Sequence, residues 1–134
     1  MSPYVVQPIG HVESPLVDLA AAPKQGYEGS PLAWLVFHSE VSEAARDINV
    51  GDELIVLTWL DRADRDVQVV HPRGEPANPM RGVFSTRSPD RPNPVGVHRV
   101  EVVAMDGLRV QVRDLEALDG TPIVDVKSVL AYVE

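Results

Sequence analysis

Residues 96–113, GVHRVEVVAMDGLRVQVR, contain the pattern that decides the fold. Asp106-Gly107 stands between two runs in which apolar and polar residues alternate. Alternation places the apolar side chains on one face of a strand, and Asp-Gly is a strong signal for the two-residue turn that joins antiparallel strands. The stretch therefore predicts a β-hairpin with arms at residues 96–105 and 108–113.

Short strands are also predicted on both sides of this hairpin. They are expected where short apolar or alternating runs occur, at residues 4–11, 32–38, 54–60, 67–70, 83–86 and 123–130. One short helix is predicted over residues 40–47, with Ser39 or Ser42 as its cap. Many short strands, one short helix and no long helical period indicate an all-β, mainly antiparallel barrel or sandwich. No repeat or linker interrupts the pattern, so residues 1–134 are predicted to form a single domain.

Composition excludes several classes of protein. The 134-residue chain has a formal net charge of −8 and no cysteine, so it has neither disulfides nor a thiolate nucleophile. It has no apolar run near the roughly 18 residues of a membrane span and no signal peptide, which predicts a cytoplasmic protein without membrane contact. The acidic balance disfavours DNA and other nucleic acids. Residues 71–99, however, hold five arginines and two carboxylates, a local balance of +3 that predicts a positive patch on an acidic body.

The stretch Gly82–Gly96, GVFSTRSPDRPNPVG, is the candidate binding loop. It begins with the predicted strand 83–86 and continues into ten residues with three prolines and two arginines. Proline fixes φ and keeps the residue before it out of the helical region, so this loop is expected to be extended and stiff. Arg87 and Arg91 would present forked donors suited to carboxylates, phosphates or the face of a nucleobase.

The other polar motifs each have a structural and a functional interpretation. Residues 119–122, Asp-Gly-Thr-Pro, fit a plain turn, or a clamp in which glycine lets backbone amides approach a small ligand. Asp125 and Lys127 lie on one face of a predicted strand, as an exposed ion pair or as an acid–base pair beside a pocket. The four histidines are scattered without the spacing of metal ligands, so no metal is predicted. A Gly-x-Gly-x-x-Gly motif and a P-loop are also absent, which argues against a Rossmann-type nucleotide site.

Two long motifs, residues 82–96 and residues 118–127 (LDGTPIVDVK), resemble the TsaA-like family, and so do Pro8-Ile9-Gly10 and residues 22–26 (APKQG). This family includes the TrmO-type S-adenosylmethionine-dependent methyltransferase, which acts on N6-threonylcarbamoyladenosine beside the anticodon of certain tRNAs. The resemblance implies a small, closed or partly open β-barrel with one short helix and long proline-rich loops. It also implies a homodimer that holds S-adenosylmethionine near the subunit interface and takes tRNA as its substrate.

The resemblance also assigns roles to matching positions. The cofactor contacts that it implies are Pro23, Lys24, Gln25, Glu53, Leu54, Arg87, Asp119, Gly120, Thr121 and Pro122. The substrate contacts that it implies are Arg91, Asn93 and Lys127. Asp90 stands where many members of the family have a histidine. Because the sequence ends at Glu134, just past the predicted barrel, the domain is expected to lack the C-terminal extension that the resemblance links to tRNA binding in longer bacterial members.

Methyl transfer is the predicted chemistry, and the acceptor is open. The sulfonium of S-adenosylmethionine already activates the methyl group, so the protein mainly has to align donor and acceptor. Asp119 and Asp125 are the candidate catalytic bases for the proton that leaves the acceptor nitrogen. A tRNA acceptor is the leading hypothesis. A smaller, non-tRNA acceptor and a non-catalytic S-adenosylmethionine sensor are the alternatives.

Overall fold

The computed structural model describes residues 3–18 and 29–130, and in them lie eight strands, one α-helix and three short 3-10 turns. The strands are β1 (Gly10–Glu13), β2 (Ala33–Phe37), β3 (Glu53–Trp59), β4 (Val69–Val70), β5 (Arg81–Gly82), β6 (Val95–Asp106), β7 (Arg109–Arg113) and β8 (Pro122–Ser128). The helix α1 is Ser42–Ala45, and the 3-10 turns are Ser39–Val41, Pro72–Gly74 and Val83–Ser85. No helix in these ranges is long and apolar enough to cross a membrane.

Six of the strands form one antiparallel sheet that closes on itself as a ring. The hydrogen-bonded order is β1-β2-β7-β6-β3-β8, and β8 pairs back with β1. The strands β4 and β5 form a separate two-stranded ribbon. Closure leaves the ring without an unpaired edge strand. The predicted fold class is confirmed: the sheet is mainly antiparallel, and α1 is the one short α-helix of the described residues.

The interior of the ring is filled by the apolar side chains that alternate along its strands. On β2, Ala33, Leu35 and Phe37 are buried, whereas the residues between them are partly exposed. Leu115 and Ala117, from the loop after β7, complete the same cluster. Fully burying a Val, Leu or Ile side chain contributes roughly 1.5–3 kcal/mol. This shared core fixes the strand ends, and therefore the positions from which the loops emerge.

The hairpin predicted from residues 96–113 is confirmed. Strands β6 and β7 pair antiparallel on both sides of the turn. Gly107 adopts a φ of 60° there, a conformation that glycine reaches at no steric cost. The register shifts once, between Val102 and Ala104, because a β-bulge places an extra residue in one of the two strands.

The first predicted strand and the predicted helix have the wrong limits. The strand expected at residues 4–11 begins only at Gly10, and residues 3–8 are exposed and belong to no ladder. Pro8 has no N–H to donate to a strand ladder, so the ladder begins after it. The helix α1 is shorter than expected, and no side chain caps it.

The strand predicted at residues 83–86 is wrong. Val83–Ser85 form a 3-10 turn, and the short strand β5 comes just before them. The Thr86 N–H donates to the Val83 carbonyl at 3.1 Å, and the Thr86 hydroxyl donates to the same oxygen at 2.9 Å. These local bonds override the β propensity of the segment, which depends on context.

Candidate functional site

Several loops meet at one end of the ring. Since β6, β3, β8 and β1 are neighbours and run antiparallel, the start of β6, the end of β3, the start of β8 and the end of β1 share that end. Trp59 faces Val95 across β3 and β6, and Thr58 faces Ile123 across β3 and β8. We call this end the loop rim. It carries residues 60–66, 83–94 and 118–122, and the chain that leaves β1 at residue 14.

The arginine loop, residues 83–94, is braced by one of its own arginines. Arg91 is half-buried, and its Nε donates to the Ser88 carbonyl at 2.8 Å. Its Nη2 donates to the carbonyls of Val83 and Thr86, at 2.7 Å each. Hydrogen bonds from a charged donor are stronger than neutral ones. The prolines therefore stiffen the loop, and Arg91, predicted as a substrate contact, fixes its shape.

Arg87 differs from Arg91 in its surroundings. Its side chain is exposed. Within residues 3–18 and 29–130, no hydrogen bond, ion pair or ring contact joins Arg87 to another residue. Its planar fork is therefore free for a carboxylate or a phosphate, and it projects from a loop whose conformation is already fixed. A preformed loop has little conformational freedom left to lose when a ligand binds.

The turn after β3 is fastened to the arginine loop by Arg65. Its Nε donates to the Pro92 carbonyl at 2.7 Å, and its Nη2 donates to Asn93 Oδ1 at 2.9 Å. The same guanidinium lies over the ring of Trp59, 5.2 Å from the ring centroid. Asn93, predicted as a substrate contact, thus has a partner inside the protein. Arg65 was not predicted, because the charged run in which it stands is typical of a solvated turn.

Asp90 has a structural partner at the same place. Its Oδ1 accepts the N–H of Asp64 at 2.9 Å, and the Arg91 N–H donates to the Asp64 carbonyl at 3.1 Å. Asp90 and Arg91 together therefore clamp the backbone of Asp64 from both sides. The carboxylate that the sequence places between two arginines is engaged with the neighbouring turn.

The Asp-Gly-Thr-Pro segment forms a turn that holds the chain leaving β1. The N–H of Asp119 donates to the Leu16 carbonyl and the N–H of Gly120 donates to the Val12 carbonyl, at 2.7 Å each. Gly120 has a φ of 83°, which favours glycine. Thr121 is buried, and its hydroxyl donates within the same turn. The turn interpretation is thus realised, and the two amides suggested for a ligand clamp already have partners in the protein.

Two further bonds order the chain after β1. The carboxylate of Asp119 accepts the Ser14 N–H at 3.0 Å, and Arg62 Nη1 donates to the Val17 carbonyl at 3.3 Å. The structure describes this chain as far as residue 18, so its direction out of the loop rim is defined. The three predicted cofactor residues that follow it lie outside the described residues: Pro23, Lys24 and Gln25.

Glu53 and Leu54 lie at the opposite end of the ring. They begin β3, whereas Thr58 near its other end faces β8 at the loop rim. Five residues of strand span roughly 17 Å. Leu54 is only 5% exposed, and Glu53 Oε2 pairs with Arg99 Nε at 2.9 Å. A single chain therefore does not bring Glu53 and Leu54 together with the loop rim.

Asp125 and Lys127 form an ion pair on β8. Asp125 Oδ2 lies 3.0 Å from Lys127 Nζ, and the side chains are 46% and 63% exposed. An ion pair as exposed as this contributes about 1 kcal/mol or less. With Leu54, Val126 and residues of α1, the pair lines a pocket of about 330 Å³. The geometry therefore combines both interpretations, an exposed ion pair that also borders a pocket.

A buried polar chain crosses the interior next to the loop rim. His98 Nε2 lies 2.7 Å from Thr58 Oγ1, and His98 Nδ1 lies 2.6 Å from Glu116 Oε1. The order of hydroxyl, imidazole and carboxylate is that of a catalytic triad, but Thr58 is wholly buried and meets no substrate. A satisfied buried network of this kind stiffens a core. The sequence does not reveal it, because Thr58 and Glu116 lie 40 and 18 positions from His98.

A family model described as the tRNA-methyltransferase O N-terminal domain matches residues 11–134. The chain belongs to this family. The resemblance inferred from the motifs at residues 82–96 and 118–127 is therefore confirmed. The matched residues include every strand of the ring, apart from Gly10 at the start of β1. They also include the predicted cofactor contacts and the predicted substrate contacts.

Two archaeal relatives are named for the predicted cofactor. An S-adenosyl-L-methionine-binding protein of Archaeoglobus fulgidus is 41% identical, over 92% of this chain and 87% of that protein. A probable S-adenosyl-L-methionine-binding protein of Methanothermobacter thermautotrophicus is 41% identical, over 91% of this chain and 87% of that protein. S-adenosylmethionine, the predicted cofactor, is the ligand in both names.

The crystal structure of TrmO from Pseudomonas aeruginosa has the same fold. It superimposes with a TM-score of 0.76 at 24% sequence identity, over 99% of this chain. The present chain spans 58% of the length of that TrmO chain. The superposition therefore establishes the fold of the TrmO N-terminal domain for this protein.

Proposed function

We propose that this protein transfers a methyl group from S-adenosylmethionine to the N6 nitrogen of threonylcarbamoyladenosine beside the anticodon of tRNA. Membership of the tRNA-methyltransferase O family supports the reaction class. The structural observation that supports it best is the exposed guanidinium of Arg87 on a loop that Arg91 holds rigid. A cofactor carboxylate, a threonyl carboxylate and an RNA phosphate all require such a donor.

The loop rim holds five of the ten proposed cofactor contacts. Arg87 lies on the arginine loop, and residues 119–122 form the neighbouring turn, which anchors the chain after β1 at Leu16. Pro23, Lys24 and Gln25 follow in the sequence, outside the described residues. The sulfonium supplies an activated methyl group. The protein therefore contributes mainly by fixing the acceptor nitrogen in line with that methyl group, and a rigid loop suits this task.

We assign the proton-accepting role to Asp119 rather than to Asp125. Asp119 is exposed at the loop rim, and among the residues that the structure describes the one hydrogen bond to its carboxylate comes from the Ser14 N–H at Oδ1. Both carboxylate oxygens of Asp125 have partners, the Val126 N–H at 2.9 Å and Lys127 Nζ at 3.0 Å. A general base must present a free oxygen toward the proton that it takes.

Glu53 and Leu54 can share a cofactor with Arg87 only if a second copy of the chain supplies them. We therefore propose a homodimer, in which the far end of one ring approaches the loop rim of the other. Light scattering on the purified protein measures the mass directly. A monomer that still binds the cofactor would remove Glu53 and Leu54 from the site and leave the remaining contacts in place.

The test is methyl transfer from labelled S-adenosylmethionine to tRNA that lacks only the N6-methyl group. We expect the label in the modified adenosine, as identified by mass spectrometry of the nucleosides. Arg87→Ala is expected to lose transfer. Arg113→Ala is the matched control, because Arg113 is an exposed arginine on β7, a strand that carries none of the proposed contacts. Intact cofactor binding without any label transfer would refute the proposed reaction.

A small non-tRNA acceptor is the second candidate, and the net charge of −8 favours it. Salt dependence separates the two candidates. Binding of tRNA releases counterions and weakens steeply as salt rises, whereas the affinity for a small acceptor changes little. If the affinity for the acceptor does not change with salt and methylated product forms, the acceptor is a small molecule and not tRNA.

A further inference from the structure

Phe84 is an exposed aromatic side chain near the start of the arginine loop. It is 83% exposed, although its neighbour Val83 is 2% exposed and anchored by a hydrogen bond from its N–H to the Gln68 carbonyl at 2.9 Å. A phenylalanine side chain normally buries 150 Å² or more. Leaving it in water gives up that stabilisation, which a ligand that covers the ring would recover.

The backbone around Phe84 is rigid. Val83–Ser85 form a 3-10 turn, closed by the Thr86 N–H on the Val83 carbonyl. The same carbonyl accepts Arg91 Nη2 at 2.7 Å. The ring is therefore held out from a fixed turn, and a ligand that covers it pays little for ordering the backbone.

The charges beside Phe84 are positive. Arg81 and Arg87, three positions before and after it, are both exposed. Within the described part of the chain, neither side chain has a hydrogen-bond or ion-pair partner. Asp90, the carboxylate of this loop, is engaged by the Asp64 N–H at 2.9 Å. Phe84 thus stands along the chain between two exposed arginines, in a protein of net charge −8.

We infer that Phe84 is a stacking platform for an unpaired base of the substrate RNA, with Arg81 on an adjoining phosphate. Base stacking on an exposed aromatic ring beside cations is the general mode of single-strand recognition. The adenine of the cofactor fits less well, because small ligands bind in concave sites and this ring stands in the open. A second copy of this acidic chain could also offer carboxylates to the arginines, so the mass of the dimer is measured in the test. The inference rests on the proposed tRNA substrate.

Equilibrium binding of a fluorescently labelled anticodon stem-loop RNA tests the inference, without cofactor and without turnover. Phe84→Ala is expected to weaken binding roughly 5- to 150-fold. Phe84→Leu, which keeps apolar surface but no ring, is expected to bind as weakly as Phe84→Ala, and Phe84→Trp to retain the affinity. Tyr4→Ala is the matched control, because Tyr4 is 97% exposed and lies outside the loop. Arg81→Ala is expected to lower the slope of log K against log salt by about one.

Each result separates the inference from the proposed reaction. Equal affinities of wild type and Phe84→Ala, or no binding of the RNA by wild type, would overturn the inference. A Phe84→Ala variant with weaker S-adenosylmethionine binding but unchanged RNA binding would also overturn it, and so would one in which only the dimer mass changes. If wild type fails to methylate the RNA but binds it through Phe84, the inference stands and the reaction does not. Melting temperature confirms folding, since an exposed side chain contributes little to the core.

Discussion

Replacing Arg91 with alanine tests whether this arginine holds the loop together. Arg91 makes three hydrogen bonds to backbone carbonyls, at 2.7–2.8 Å. A hydrogen bond from a charged group contributes roughly 1.5–3 kcal/mol. Because Arg91 is only half-buried, the freed carbonyls regain water, and the three bonds are not additive. We therefore expect Arg91→Ala to lower the free energy of unfolding by about 2–4 kcal/mol.

Chemical and thermal denaturation measure this loss, which corresponds to a fall in Tm of roughly 6–16 °C for a domain of this size. Arg91→Lys is expected to lose part of the stability, because an ammonium keeps the charge but not the planar fork. Arg87→Ala is the control on the same loop and is expected to stay within about 0.5 kcal/mol of wild type. The reasoning is refuted if Arg91→Ala is as stable as wild type, or if Arg87→Ala is destabilised as much.

Substitutions at three further positions test the interior and the loop rim. Gly96→Ala would place a Cβ 2.8 Å from His98 Nε2 and closer still to Thr58 Oγ1. We therefore expect it to lower the free energy of unfolding by about 1–3 kcal/mol or more. An unchanged urea denaturation curve would contradict the close packing around Gly96. Thr58→Val keeps the shape but leaves His98 Nε2 without its partner at 2.7 Å, and denaturation should show a loss of about 1–3 kcal/mol. Asp90→Ala removes the acceptor for the Asp64 N–H, so that amide should exchange faster with solvent, whereas Asp90→Asn keeps an acceptor oxygen and should protect it. Equal exchange in the two Asp90 variants would show that the bond does not hold the turn.

Local pattern predicts the ring well where the alternation is strong. The hairpin at residues 96–113 and the strands that became β2, β3 and β8 are found near their predicted places, because an apolar face in a two-residue period has one stable way to be buried. The pattern fails at residues 83–86, where side-chain and turn bonds to the Val83 carbonyl replace a ladder. One of those bonds comes from Arg91, eight positions away, and the β propensity of residues 83–86 contains no information about it.

The site residues divide in the same way between what the motifs predict and what the fold arranges. The motifs identify the family and its ligand, S-adenosylmethionine. They also identify the arginine loop and the turn at residues 119–122 as parts of the candidate site. They do not reveal that Glu53 begins β3 at the far end of the ring, roughly 17 Å from the loop rim. Strand register sets that distance, and register is a property of paired strands, so a list of matching residues carries no information about it.

The sequence by itself determined the all-β class, through the alternation around Asp106-Gly107, and the family, through the motif that contains both arginines. It could not tell which of Arg87 and Arg91 the protein itself holds in place, since the two have the same donors and stand four positions apart. Only the tertiary structure decided between them. The chain folds back so that three carbonyls surround Arg91, and Arg87 is left exposed and available to a ligand.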